Sequence, residues 1–257
     1  MNTPQFKNAI VRKPCKNMVN GLSSANLGIP DYDLAMKQHQ NYINALIFCG
    51  LQVEVLEANE DFPDSTFIED IALLTPHSAI ITNPGALSRK GEATDVLDTI
   101  KKYYDQIDFI KEPGTIEAGD IMMVSDHFYI GLSERTNQEG AQQMTSILAK
   151  YKLGTTVVPL KEMLHLKTGV AYLEHNNLLV TGEFVNIPVF DPFNKLEIET
   201  SESYAANCIW VNDHVIIPKG YPNAKNTIEK TAYKTIEVDV SEFKKLDGGL
   251  SCLSLRF

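Results

Sequence analysis

Basic residues are in short supply in this 257-residue chain, with 23 Lys and Arg against 33 Asp and Glu and a formal net charge of −10. That balance gives no general attraction to phosphate backbones, so no nucleic-acid partner is expected. Long hydrophobic runs are missing too. No window of 18 or more apolar residues occurs, and the opening MNTPQFKNAIVRKPC lacks the apolar stretch of a secretory signal. No membrane association or export is therefore expected, and the cytoplasm is the expected compartment. Cysteine is sparse: Cys15, Cys49, Cys208 and Cys252 are scattered without CxxC spacing. This argues against a zinc knot or a disulfide framework and for reduced thiols.

What the chain does have is enough apolar residue, 44%, to bury a full core, and a length near the upper size of one domain. A single domain over 1–257 is expected. Short apolar runs joined by polar turns recur: EDIALLTPHSAIITNPG, GDIMMVSDHFYIGL, TGVAYLEHNNLLVTG and ANCIWVNDHVIIPKG. Each reads as strand, tight turn, strand. Aligned on Asp70, Asp120, Gly169 and Asn207, they start 50, 49 and 38 residues apart, the spacing of an array of similar units.

Helical spacing follows three of the hairpins, through Val96, Leu97, Ile100, Tyr103 and Tyr104, then Met144, Ile147, Leu148 and Tyr151, then Ala224, Ile228 and Ala232. The connection NIPVFDPFNKLEIE is irregular. Upstream, Pro30 and Asp31 open a helix that Gly50 can stop before the strand LQVEVL. Two strands then lack a hairpin, NAIVRKP near one end and GGLSCLSLRF at the other. Pairing them makes a fifth unit and closes the array.

Chemistry-bearing residues gather at the strand starts on which the repeat aligns: Asp64, Glu69 and Asp70 in FPDSTFIED, Glu117 and Asp120 in GTIEAGD, His165 in MLHLKTG, and Cys252 in DGGLSC. In a closed array the equivalent ends converge, so a thiol, an imidazole and several carboxylates would share a pocket. The thiolate is the reactive form of cysteine; carboxylates oppose it, whereas a cationic substrate favours it. A guanidinium suits such a pocket, being planar, permanently charged and matched to carboxylates. On pattern alone, Cys252 also reads as a small buried hydrophobe and His165 as a core histidine.

The stretches FPDSTFIED, SRKGE, PGTIEAGDIMM, GLSERTNQEGA, LHLKTG, YAANCIWVN and KLDGGLSCLSLRF resemble, in order and along nearly the whole chain, the signature blocks of the dimethylarginine dimethylaminohydrolases, especially the bacterial form. That family belongs to the pentein group of guanidine-modifying enzymes. The resemblance implies an α/β fold, a five-bladed α/β propeller with pseudo-fivefold symmetry, closed by its terminal strands. It implies Cys252 as nucleophile, His165 as general acid and then base, and Glu117 and Asp70 on the guanidinium nitrogens with Glu69 and Asp64 beside them. Arg89 and Arg135 would hold the substrate carboxylate, backbone carbonyls near Leu22 and Leu246 would line the pocket, and the NMVNGLSSANLG segment would act as a lid. SRKGE departs from the expected SRRGE at Lys90.

The implied substrates are methylated arginines, with no cofactor. Cys252, His165, Glu117 and Asp70 have the chemistry to hold a metal, but catalysis needs none. A homodimer is compatible with the resemblance. The rivals are an arginine deiminase-like hydrolase of unmethylated arginine and a non-catalytic propeller that binds a partner; agmatine is disfavoured because the paired arginines ask for a carboxylate.

Overall fold

The computed structural model describes residues 5–257. Its strands form where short apolar runs alternate with turns. Near the start, β1 (Asn8–Arg12) lies parallel to β2 (Gln52–Leu56). The helix Tyr32–Phe48 connects them, as a parallel pair requires. Asp31 caps it, accepting the Leu34 N–H at 2.9 Å, and Gly50, at φ +94°, turns the chain away after it.

Four sheets of one pattern follow. They are β3 (Ala72–Leu74), β4 (Ala79–Ile81) and β5 (Ile107–Phe109); β6 (Ile121–Val124), β7 (His127–Leu132) and β8 (Gly154–Pro159); β9 (Val170–Tyr172), β10 (Asn177–Val180) and β11 (Asn194–Glu197); and β12 (Ile209–Val211), β13 (His214–Pro218) and β14 (Lys234–Val238). In each, a hairpin gives an antiparallel pair and a crossover adds a parallel third strand. The first strands start at 72, 121, 170 and 209, so the spacing of the sequence repeat carries into the fold. Last, β15 (Leu255–Arg256) pairs antiparallel with β1, and the fifth sheet has the order β15-β1-β2. The architecture is α/β, with five three-stranded mixed sheets.

Two expectations are corrected here. GGLSCLSLRF is not one strand: Ser251–Leu253 forms a 3₁₀ turn, and only Leu255–Arg256 pairs. The run from Val96 to Tyr104 yields only the turn of helix Leu97–Ile100, preceded by a 3₁₀ turn over Glu92–Val96. The crossover helices Gln138–Lys150 and Pro222–Glu229 form, with Tyr151 just past the first and Ala232, expected in the second, beyond its end at φ +68°. The irregular third crossover runs through 3₁₀ turns at Gly182–Asn186 and Pro188–Phe190 before β11.

The middle strand β4 is wholly buried, β10 and β13 are buried beyond their first residue, and the crossover helices cover the sheets with apolar faces. The short turns ahead of the first strands matter most for function. Ile68–Ile71 packs against Ala118–Asp120 and against Ser251–Leu253; Leu166–Gly169 packs against Ala118–Asp120 and Thr200–Ala206. These turns bring residues from five sheets to one end of the molecule.

Candidate active site

That end holds a cleft of about 690 Å³. Cys252, His165, Glu117, Asp70, Asp64, Arg89, Arg135, Leu22 and Leu246 all line it. Nine of the ten residues singled out in the sequence are thus brought together. Glu69 is set apart: it pairs with Lys167 at 2.6 Å and Arg256 at 3.4 Å, and lines a separate cavity of about 140 Å³. Successive side chains of the 3₁₀ turn Ile68–Ile71 diverge by a third of a turn, which sends Asp70 into the cleft and Glu69 behind it.

The acid–base side of the cleft is a closed hydrogen-bond network. His165 Nε2 meets Glu117 Oε2 at 2.9 Å, while Glu117 Oε1 accepts the Ala86 N–H at 3.2 Å. Asp70 Oδ1 accepts the Gly119 N–H at 3.0 Å, and its Oδ2 pairs with Arg89 Nη1 at 2.6 Å. Arg89 is buried. It also grips Glu92 with Nε and Nη2, both at 2.8 Å, and gives Nη2 to the Phe67 carbonyl at 2.9 Å. Four of its five N–H groups are used, and one Nη1–H remains. Burial works against the His165 imidazolium but is outweighed by Asp70 and then Glu117, so its pKa is lifted to about 9. Atoms of Asp70, Glu117 and His165 lie within 4.8 Å of one another, a spacing that also suits a cation. All four carboxylate oxygens already have protein partners, which favours proton holding.

Cys252 sits in the turn Ser251–Leu253, 8% exposed. Burial, then Asp70 and Glu69, push its thiol pKa up to about 12. At neutral pH the cleft therefore holds a thiol and an imidazolium, and a bound cation is what would favour the thiolate. The Gly-Gly pair before it answers a packing demand. A Cβ on Gly248 would lie 2.1 Å from Phe67, and one on Gly249 would lie 2.4 Å from the Asn207 amide carbon. Bare backbone at both positions lets the turn press against its neighbours.

The rim is built from two facing segments. Asp64 Oδ1 accepts the Leu22 N–H at 3.0 Å, Ser23 Oγ donates to the Lys245 carbonyl at 2.6 Å, and Ser24 Oγ meets Asp247 Oδ2 at 3.0 Å. The Gly and Ser rich stretch expected to be a lid is thus laced to the loop carrying Leu246. Burial raises the Asp64 pKa to about 6, with Arg89 pulling the other way. Arg135 is half-buried and, among the described residues, has no ion-pair partner. It lines the same cleft.

A family model described as N,N dimethylarginine dimethylhydrolase, eukaryotic, matches residues 31–187. The N(G),N(G)-dimethylarginine dimethylaminohydrolase of Pseudomonas aeruginosa is 55% identical over 98% of this chain and 100% of its own length. The chain belongs to the dimethylarginine dimethylaminohydrolase family. A cysteine-to-serine variant of the Pseudomonas aeruginosa protein, in complex with citrulline, superposes with a TM-score of 0.98 over 99% of this chain and all of that one. A histidine-to-glycine variant of a dimethylarginine dimethylaminohydrolase, as an adduct with S-methyl-L-thiocitrulline, is 55% identical and gives 0.97 over 98% and 100%. At 17% identity, the N-terminal domain of a cyanobacterial arginine dihydrolase shares the fold, with a TM-score of 0.89 over 98% and 97%.

In this family member, residues to which sequence reasoning gave no site role also support the cleft. Glu92 fixes Arg89 from three residues on, a spacing visible in SRKGE. Lys167, inside the quoted LHLKTG, neutralises Glu69. Asp120, one of the strand-start residues of GTIEAGD, accepts the Leu166 N–H at 2.9 Å and hydrogen bonds from the hydroxyls of Ser133 and Thr136, both at 2.6 Å. It thereby ties His165's turn to Arg135's loop. Asn207, beside the nucleophile's turn, carried no signal except its place in the repeat.

Proposed function

We propose that this cleft hydrolyses Nω-methylated arginines, asymmetric dimethylarginine and monomethylarginine, to citrulline and dimethylamine or methylamine, breaking a C–N bond of a linear amidine. One observation carries the reading: a thiol, a carboxylate-bound imidazolium and buried carboxylates line one cleft, in a chain 55% identical across 98% of its length to a dimethylarginine dimethylaminohydrolase.

Asp70 and Glu117 hold the guanidinium with Asp64 beside them, while Glu69 adds charge from behind the wall. The bound cation lowers the thiol pKa, and the Cys252 proton leaves to solvent. The thiolate then adds to the central guanidinium carbon, held at attacking distance by the carboxylates. His165 protonates the departing amine, the C–N bond breaks, and a covalent S-alkylthiouronium remains. The now neutral His165 takes a proton from water as its oxygen adds to the same carbon. The C–S bond then breaks as the hydroxyl proton leaves to solvent, releasing citrulline and restoring the thiolate. Arg135 meets the substrate carboxylate, with the remaining Nη1–H of Arg89 beside it. Backbone carbonyls at Leu22 and Leu246 line the amino-acid end.

The five three-stranded sheets support the finer reading of one catalytic α/β propeller with pseudo-fivefold symmetry, closed where β15 joins β1. No helix among the described residues is long and apolar enough to cross a membrane. The reading places the enzyme in the cytoplasm, with a small-molecule substrate and no nucleic-acid partner, and is compatible with a homodimer.

Citrulline formation from dimethylarginine, monomethylarginine, arginine and agmatine, measured side by side, tests the function. The methylated substrates should lead; preference for plain arginine would favour the deiminase reading, and no turnover would favour a binding module. Cys252→Ser should abolish turnover, and quenched wild type should carry an adduct on the Cys252 peptide. An adduct on Cys208 instead would refute the assignment.

A further inference from the structure

At three repeat-equivalent positions, a side chain reaches forward and accepts a backbone N–H from the turn that opens the next sheet. Asp70 Oδ1 accepts from Gly119 at 3.0 Å, Asp120 Oδ1 from Leu166 at 2.9 Å, and Asn207 Oδ1 from Ser251 at 2.8 Å. The remaining aligned position is Gly169, which has no side chain to offer. Two of these tethers are carboxylates. The third, which ends on the nucleophile's own turn, is an amide.

The difference follows from what lies beyond the tether. Because Oδ1 takes the Ser251 hydrogen, the amide orientation of Asn207 is fixed, and Nδ2 faces Cys252 Sγ at 3.9 Å. Asn207 is buried, and the Gly249 backbone is pressed against its amide, so this orientation has no room to relax. A carboxylate here would keep the tether and turn its second oxygen, with negative charge, toward the sulfur. Cys252 already feels the negative charges of Asp70, in the cleft, and of Glu69, behind its wall, both on the turn Ile68–Ile71, and has Ser251 Oγ at 3.9 Å. His165 and Glu117 lie in the same cleft, and the Tyr204 hydroxyl is committed to the Gly248 carbonyl at 2.7 Å.

We infer that Asn207 is a positioning residue for the nucleophile, holding the Cys252 turn through Oδ1 while presenting Nδ2–H to the sulfur, and that this site requires an amide where the equivalent sites use acids. The inference rests on the reading of Cys252 as nucleophile. In the thiol state the contact is weak; in the thiolate state it becomes a hydrogen bond to a charged acceptor, and such bonds are roughly twice as strong as neutral ones.

The test is Asn207→Asp, which keeps side-chain size and the acceptor for Ser251. Alkylation of Cys252 by iodoacetamide is followed against pH by mass spectrometry of its peptide, since Cys15, Cys49 and Cys208 also carry thiols. At a fixed pH well below the thiol's midpoint the alkylation rate should fall about 10- to 1000-fold, the loss of thiolate that a close like charge produces, and kcat for dimethylarginine should fall at least tenfold (~10¹) with it. A purely structural tether predicts wild-type alkylation and wild-type kcat in this variant, and that result overturns the inference. Asn207→Ala adds no charge and serves if the aspartate variant fails to fold. It should also slow alkylation of Cys252 at that fixed pH, and an unchanged rate in folded Asn207→Ala is equally fatal. Persistent turnover in Cys252→Ser is a separate failure, that of the nucleophile reading itself.

Discussion

At neutral pH the two reactive residues stand in unequal readiness. Asp70 and Glu117 keep His165 charged, with a pKa near 9, whereas burial and the same acidic surroundings keep Cys252 a thiol with a pKa near 12. His165 is therefore ready to donate a proton before substrate arrives, and Cys252 waits for the guanidinium. Removing the imidazole in His165→Ala should slow turnover about 10² to 10⁴-fold, the usual contribution of a positioned acid–base. Unchanged turnover would return His165 to the core-histidine reading. The raised pKa also fixes a sign for stability. A group whose pKa is raised from 6.5 to about 9 on folding contributes stability fully present below pH 6.5 and lost as pH climbs through 9. The melting temperature should accordingly fall across that window, and His165→Gln, which cannot titrate, should flatten the fall. Parallel curves for wild type and variant would show that the ring is not held protonated.

The active turns are elements of only three to seven residues, too short to carry a periodic signal. Sequence reading found the hairpins because strands of three to six apolar residues between turn residues announce themselves. It found Asp70, Glu117, His165 and Cys252 because they stand at hairpin starts and in blocks that resemble a family. It did not separate Glu69 from Asp70, since only the 3₁₀ geometry sends neighbours to opposite sides of a wall. Nor did it explain Gly248 and Gly249, whose need depends on Phe67 and Asn207 across the fold.

The segments bearing the two arginines show the same limit: SRKGE and SERTN look alike, yet Arg89 is locked to Asp70 and Glu92 while Arg135 stays unpaired among the described residues. Arg135→Ala should therefore cost roughly 10 to 150-fold in kcat/KM with dimethylarginine, one charged hydrogen-bond interaction of about 1.5 to 3 kcal/mol. A decarboxylated analogue should be hardly affected. Arg89→Ala should depress both substrates, because it releases Asp70 as well as one contact to the carboxylate. Equal losses on both substrates for Arg135→Ala would remove it from the carboxylate site.

At the scale of the molecule, the residue next to the chemistry depends on a strand more than 240 residues away in sequence. β1 is the middle strand of its sheet: Ala9 and Ile10 register against Arg256 and Leu255 on one side, and residues Asn8 to Arg12 against Gln52 to Leu56 on the other. Lys7 and Asn8 both donate their N–H to the Phe257 carbonyl at 2.8 Å, and Phe257 N–H returns to Asn8 at 3.0 Å. Without β1, the two flanking strands share no partner, and β15, which starts three residues beyond Cys252, loses its only strand pairing among the described residues. Ile10 and Val11 are fully buried, and burying such side chains contributes about 1.5 to 3 kcal/mol each. Lost together with the ladder bonds, that is a large share of the 5 to 15 kcal/mol by which domains are typically stable (~10 kcal/mol). Deleting residues 1–13 should therefore abolish cooperative unfolding, or lower the melting temperature steeply, and remove turnover in parallel. The milder Ile10→Ala should cost about 2 to 5 kcal/mol with kcat nearly retained below its melting transition. A truncated chain that melts and turns over like the full one would mean that the sheet carrying β15 stands without β1, and the closing of the fold by its two ends would have to be given up.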